Sequence, residues 1–118
     1  MAKFLFVLTR GLDDPIRATR GLMLAKVAKE KGHDVHIFLT DDAVLLAKEG
    51  LLDNVMTPSG DEALSHMGFL IANNVPISVC LPCAQVRKLG EAELIENAKY
   101  GKAPELIDIA EDAKVFTF

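Results

Sequence analysis

Val75-Pro76-Ile77-Ser78-Val79-Cys80-Leu81-Pro82-Cys83-Ala84-Gln85-Val86-Arg87 reads as a short buried strand, a tight corner and the start of a helix. Val75, Ile77 and Val79 are β-branched and apolar, which suits the interior of a sheet. Pro82 cannot continue a strand ladder but fits the first turn of a helix. A thiol at such a junction meets free backbone N–H groups and the positive end of the helix dipole, both of which favour thiolate over thiol. Cys80 is therefore the first candidate for a reactive group.

Upstream of this stretch, Lys3 to Thr9 is an apolar run bounded by Arg10-Gly11, as expected of a strand covered on both faces. Asp14-Pro15 is a helix start, with Asp14 as N-cap and Pro15 at the first helical position. That helix is expected to run to about Lys31 and stop at Gly32. Its apolar residues, including Ile16, Leu22, Met23, Leu24 and Val27, cover more than one stripe, so its second flank is expected to meet another subunit. Asp34 to Leu39 is the second strand, and Thr40-Asp41-Asp42 caps a short helix from Ala43 to Glu49. Leu51 to Pro58 reads as irregular, with an extended piece at Val55-Met56. Ser59 and Glu62 have capping-box spacing and open a helix to Ala72.

Downstream, Glu91 to Lys102 is polar and mixed, with a short helix expected over Glu91 to Asn97. Ala103-Pro104-Glu105 starts a helix, and Lys114 to Phe118 closes the chain as a strand. Strands alternating with helices imply a parallel sheet with helices on both faces. Ligands of such sheets bind beyond the carboxyl ends of the strands. The loops Thr9–Asp14, Thr40–Asp42 and Cys80–Cys83 should share that edge.

The bulk numbers narrow the classes. A chain of 118 residues makes one domain. Half the residues are hydrophobic and mean hydropathy is +0.23, yet no apolar run approaches the ~18 residues of a membrane span. The excess points to subunit interfaces rather than lipid. Met1 to Arg10 is too short in its apolar part, and lacks the small-residue cleavage site, for a signal peptide. A net charge of −4 without a basic run argues against a nucleic-acid or anionic-membrane surface. Two cysteines are too few for a disulfide scaffold, so free thiols in a reducing cytoplasm are expected.

Each candidate group has a plainer reading beside the chemical one. Cys80 could be a small buried hydrophobe. Cys83 completes a CxxC and could be a resolving thiol, a second sulfur-handling thiol or inert packing. One CxxC without a second Cys/His pair does not make a zinc site. A thioredoxin would place its CxxC early in the chain rather than at position 80. Arg87, four residues beyond Cys83, could stabilise a thiolate or persulfide, or be a solvated charge. Asp13, Asp14, Asp41 and Asp42 suggest a metal cluster, but helix capping accounts for two of them. Arg10, Arg17 and Arg20 near the first loop could hold an anion. His33, His36 and His66 have no motif spacing to a cysteine and read as structural or surface residues. Gly11 stands alone, without GxGxxG or a P-loop, and no nucleotide or other cofactor is expected.

Taken together, Phe4 to Thr9, Asp14-Pro15-Ile16-Arg17-Ala18, Lys31 to Leu39, Ile77-Ser78-Val79-Cys80 with Arg87, and Ala113 to Phe118 resemble the DsrE/TusD-like family of small sulfur-relay proteins over nearly the full length. The resemblance implies a single Rossmann-like α/β/α domain over residues 1–118. Its sheet would be mainly parallel, with about five strands. It also implies assembly into homotrimers or homohexamers. In sulfur-transferring members, a cysteine at the position of Cys80 accepts sulfur as a persulfide from a donor protein and passes it to an acceptor protein. Cys83 matches an extra cysteine of some relatives. The expectation is a cytoplasmic persulfide carrier using Cys80, with Cys83 and Arg87 auxiliary. The alternatives are an oligomeric binding module with incidental thiols and a CxxC thiol-disulfide oxidoreductase.

Overall fold

Five strands, all parallel, form one sheet in the order β4-β3-β2-β1-β5 in the computed structural model, which describes residues 1–118. The strands are β1 (Lys3–Leu8), β2 (Asp34–Leu39), β3 (Ile77–Cys80), β4 (Ala98–Gly101) and β5 (Lys114–Thr117). The helices are α1 (Pro15–Glu30), α2 (Ala63–Ala72), α3 (Leu81–Val86) and α4 (Ala103–Ala110). The expected α/β architecture with a parallel sheet and helices on both faces is the one observed.

Alternation along the strands divides the sheet into two unequal faces. Phe6 and Leu8 of β1, Val35, Ile37 and Leu39 of β2, and Ile77 and Val79 of β3 point into the main core. There they meet Ala18, Leu22, Ala25 and Ala28 of α1, and Ala63, Met67 and Leu70 of α2. Small residues on α1 let the helix lie close: a Cβ on Gly21 would come within 3.1 Å of the Leu8 side chain. α1 begins as its sequence dictates, with the Asp14 carboxylate accepting the Arg17 N–H at 3.1 Å and Pro15 opening the helix. α1 also packs against α2, while Ile16 and Val27 on its outer side stay exposed.

The opposite face is thinner. Leu5 and Phe38 are buried on it outside the main core. Its cover is α4, which links one edge strand, β4, to the other, β5, and has no fully buried residue. α4 is pinned by polar contacts: His36 Nε2 donates to Ser78 Oγ at 2.8 Å, and Ser78 Oγ donates to Glu105 Oε2 at 2.8 Å. Gly101 makes this approach possible. A Cβ there would stand 2.8 Å from Glu105 Oε2 and 3.2 Å from Ser78 Cβ.

Three local expectations need correction. Within the polar stretch, Ala98–Gly101 is a strand that pairs with β3 at the sheet edge, and of the helix expected over Glu91 to Asn97 only Glu91–Glu93 forms, as a 3₁₀ turn. Lys99 is exposed on this edge, a residue type that edges tolerate and sequence patterns read as loop. Ser59 does not cap α2. Its hydroxyl bonds Thr57 Oγ1 at 2.8 Å, and α2 starts later, at Ala63. The segment after β2 is a 3₁₀ helix from Asp41 to Ala47, without a side-chain cap at Thr40. A further 3₁₀ turn covers Leu51–Asn54, and the extended piece near Met56 is a single bridge to Glu62.

Candidate functional site

β1, β2 and β3 run in register and deliver their following loops to one edge. These are the three loops expected to share it, and they touch. A Cβ on Gly11 would come within 2.6 Å of the Asp42 carbonyl oxygen, so only glycine lets the first loop press on the second. The Thr40 N–H donates to Leu8 O at 3.0 Å, tying the second loop to the end of β1. Asp13 shapes the first loop from within, accepting the Gly11 N–H at 2.7 Å and pairing with Arg10 at 3.0 Å.

β3 passes into α3 without an intervening loop, so Cys80 occupies the cap position and Cys83 the first turn. Both are free thiols and partly exposed. α3 is only six residues long, which leaves little macrodipole for the thiol chemistry expected of the junction. The Cys83 amide of the helix start still acts on Cys80, whereas the donors to Cys83 come from the loop after β2. The Asp41 N–H points at Cys83 Sγ from 3.3 Å, and Thr40 Oγ1 lies 3.6 Å from the same sulfur. Asp41 adopts φ 51°, in the left-handed region that Asp tolerates better than most residues.

The electrostatics separate the two thiols. Burial pushes the Cys80 thiol up, and its hydrogen bond to Cys83 pushes it further. Burial acts upward on Cys83 too, but hydrogen bonds from Cys80, Thr40 and the Asp41 amide outweigh it and bring Cys83 below the ordinary thiol value. The Asp41 carboxylate, 4.0 Å away at Oδ1, opposes the thiolate without cancelling those donors.

Arg87 is held rather than free. Its Nε and one terminal nitrogen donate to Asp42 Oδ1 at 3.2 and 2.7 Å, and its other terminal nitrogen donates to the Cys83 carbonyl at 3.1 Å. The guanidinium therefore locks α3 onto the Asp41–Ala47 segment and adds positive charge beside Cys83.

Sequence reasoning placed Cys80, Cys83 and Arg87 together, and the structure brings all three to one edge. It expected the Thr40–Asp42 loop at this edge but missed the roles of Thr40, the Asp41 amide and Asp42, because Thr40-Asp41-Asp42 reads as a capping signal. The other acidic and basic candidates separate: Asp14 caps α1, and Arg17 stays near it at 3.7 Å. Arg17 and Arg20 line an open recess with Phe118, apart from the thiols. The histidines serve the scaffold. His33 Nδ1 accepts the Ala2 N–H, His36 bonds Ser78, and His66 bonds Asp61 at 2.8 Å.

None of the five surface recesses is lined by Cys80 or Cys83. The thiols lie on an open edge, a geometry suited to meeting a group presented by another molecule. No helix is long and apolar enough to cross a membrane.

Comparison with known proteins places these features in context. The DsrE/DsrF-like family model matches residues 2–118. An uncharacterized protein of Methanocaldococcus jannaschii, MJ0989, is 32% identical over 117 residues, covering 98% of this chain and 99% of the relative. The crystal structure of the ychN protein from E. coli superposes with a TM-score of 0.85 at 27% identity, covering all of both chains. A protein of unknown function from Methanobacterium thermoautotrophicum, MTH1491, has the same fold, with a TM-score of 0.71 at 11% identity and full coverage of both chains.

Proposed function

The chain belongs to the DsrE/DsrF-like family, and from that membership and the geometry of its thiols we propose that it relays sulfur. Cys80 carries sulfane sulfur as a persulfide and hands it to a cysteine of a partner protein. The observation that carries this reading is the pair of free thiols on an open sheet edge, with the Asp41 amide 3.3 Å from Cys83 Sγ and that thiol drawn below its ordinary value. A thiolate is the form that attacks sulfane sulfur, and the open edge admits a donor or acceptor protein's own cysteine. Cys83 and Arg87 assist, the first as a second thiol and the second by fixing α3 against Asp42.

The carrier works in the cytoplasm as a homo-oligomer, a trimer or a hexamer. Support for assembly comes from apolar side chains left at the surface: Val86 is 80% exposed, Ile107 63% and Leu12 56%. Native mass spectrometry reads the copy number directly, and a monomer at micromolar concentration would overturn the assembly.

The test of the relay is discharge. Wild type and Cys80→Ser are loaded with glutathione persulfide, freed of excess donor and mixed with a thiol acceptor. Wild type should deliver its sulfur, whereas Cys80→Ser should deliver about tenfold less per minute. Equal delivery by the two proteins would overturn the role of Cys80. Failure of wild type to retain any sulfur would overturn the relay itself.

A further inference from the structure

We propose that Cys83 is the thiol through which sulfur enters and Cys80 the thiol from which it leaves, an order that rests on the relay reading above. Cys80 shares the Thr40 hydroxyl and meets the Cys83 amide, whereas Cys83 alone meets the Asp41 amide. Two donors converge on Cys83 Sγ from the loop after β2: the Asp41 amide at 3.3 Å and the Thr40 hydroxyl at 3.6 Å. Three features hold that loop in place. Gly11 packs on the Asp42 carbonyl, Arg87 grips the Asp42 carboxylate, and the Thr40 amide bonds β1. The donors are thus fixed before any substrate arrives, as groups that stabilise a transferred charge should be.

Entry proceeds by attack of the Cys83 thiolate on the outer sulfur of a donor persulfide, R–S–S–H. A bond forms between Cys83 Sγ and that sulfur. The R–S to sulfur bond breaks, and R–S⁻ departs with the electron pair while the outer sulfur keeps its proton. In the second step Cys80 gives its proton to solvent and attacks the same sulfur. The sulfur is now bonded to Cys80, and Cys83 leaves as a thiolate. No oxidant or reductant is consumed, since one sulfane sulfur merely changes its thiol.

The direction follows from the same donors. A thiolate stabilised by Asp41 and Thr40 is the better leaving group, while the less stabilised Cys80 sulfur is the stronger nucleophile. The charged groups facing the pair are the Asp41 carboxylate, which opposes the Cys83 thiolate, and the Asp42–Arg87 ion pair beside it. Burial raises Cys80, in keeping with its later ionisation.

Rapid quenching with an alkylating agent, followed by fragment-ion mass spectrometry, orders the steps. Fragmentation is needed because no Lys or Arg lies between Glu49 and Gln85, so trypsin leaves both cysteines on one peptide. Wild type given glutathione persulfide should show its earliest adduct on Cys83 and a later one on Cys80. Cys80→Ser should hold the adduct on Cys83, and Cys83→Ser should load Cys80 at least about tenfold more slowly. A first adduct on Cys80, with Cys83→Ser loading at the wild-type rate, overturns the order and leaves the relay standing. No adduct on either thiol, while iodoacetamide still alkylates both, overturns the relay and the order together.

Discussion

Arg87 and Asp42 are 45 residues apart in sequence, yet the guanidinium donates twice to one oxygen of the carboxylate, at 2.7 and 3.2 Å. The same guanidinium reaches the Cys83 carbonyl, so one side chain joins the thiol helix to the loop that solvates its sulfur. The pair is partly exposed, with Arg87 27% and Asp42 50% accessible, and its value to global stability is accordingly small.

Arg87→Ala should therefore leave unfolding nearly unchanged, within about 1 kcal/mol, while lowering thiol reactivity. Iodoacetamide alkylation of Cys83 near pH 7 should slow by about three- to tenfold, as the loop loses its tie and the sulfur a neighbouring positive charge. Arg87→Lys should recover only part of the rate, because an ammonium cannot span the Asp42 carboxylate and the Cys83 carbonyl with a rigid fork. An unchanged alkylation rate in Arg87→Ala would show that Arg87 plays no part in activating the thiol.

Gly11 offers a second handle on the same loop. Its missing Cβ is replaced by the Asp42 carbonyl, which an added methyl would meet at 2.6 Å. Gly11→Ala should cost about 1–3 kcal/mol of stability, because backbone rather than a flexible side chain must move. The displacement should also weaken the Asp41 amide contact and slow Cys83 alkylation. Gly68→Ala is the control: nothing stands within 4 Å of that Cβ position. Denaturant titration of the two variants measures the difference.

The second sheet face carries a pH dependence. Burial holds the His36 imidazole below its ordinary value, against the upward pull of Glu105 and Asp34. A histidine with a lowered folded pKa binds fewer protons in the folded state than in the unfolded chain. Stability from His36 is therefore full above about pH 6.5 and declines as pH falls below that value. His36→Gln should flatten this part of the curve of stability against pH between about 5 and 7. An identical slope in the variant would assign the acid sensitivity elsewhere.

Ser78 links His36 to Glu105, so its removal leaves a half-buried ring nitrogen without its partner. Ser78→Ala should destabilise the chain by about 1–3 kcal/mol. The effect should appear first as faster hydrogen exchange in α4, the cover of that face, while α1 and α2 keep their protection.

Much of the scaffold was legible because its signals are local. Asp14-Pro15 specifies the start of α1, and the continuous apolar runs around Phe6 and Ile37 specify strands covered on both sides. β4 escaped because Ala98-Lys99-Tyr100-Gly101 is short, mixed and at the edge, where its pairing comes from β3 rather than from its own pattern. The thiol site was legible in its cysteines and not in its donors. Thr40 and Asp41 spell a helix cap, and nothing in their sequence tells that the amide of a left-handed Asp41 turns toward a sulfur 42 residues away. The lowering of Cys83 comes from Cys80, Thr40 and the Asp41 amide together, so it too was hidden.

Under the relay proposal, this thiol pair takes up and holds sulfane sulfur. The most direct measurement of that uptake is the intact mass of the wild-type protein after incubation with glutathione persulfide and removal of the donor. One added sulfur, about 32 Da, is expected, which dithiothreitol removes as hydrogen sulfide and fragmentation places on Cys80. An unchanged mass, with both thiols free to alkylate, would contradict it.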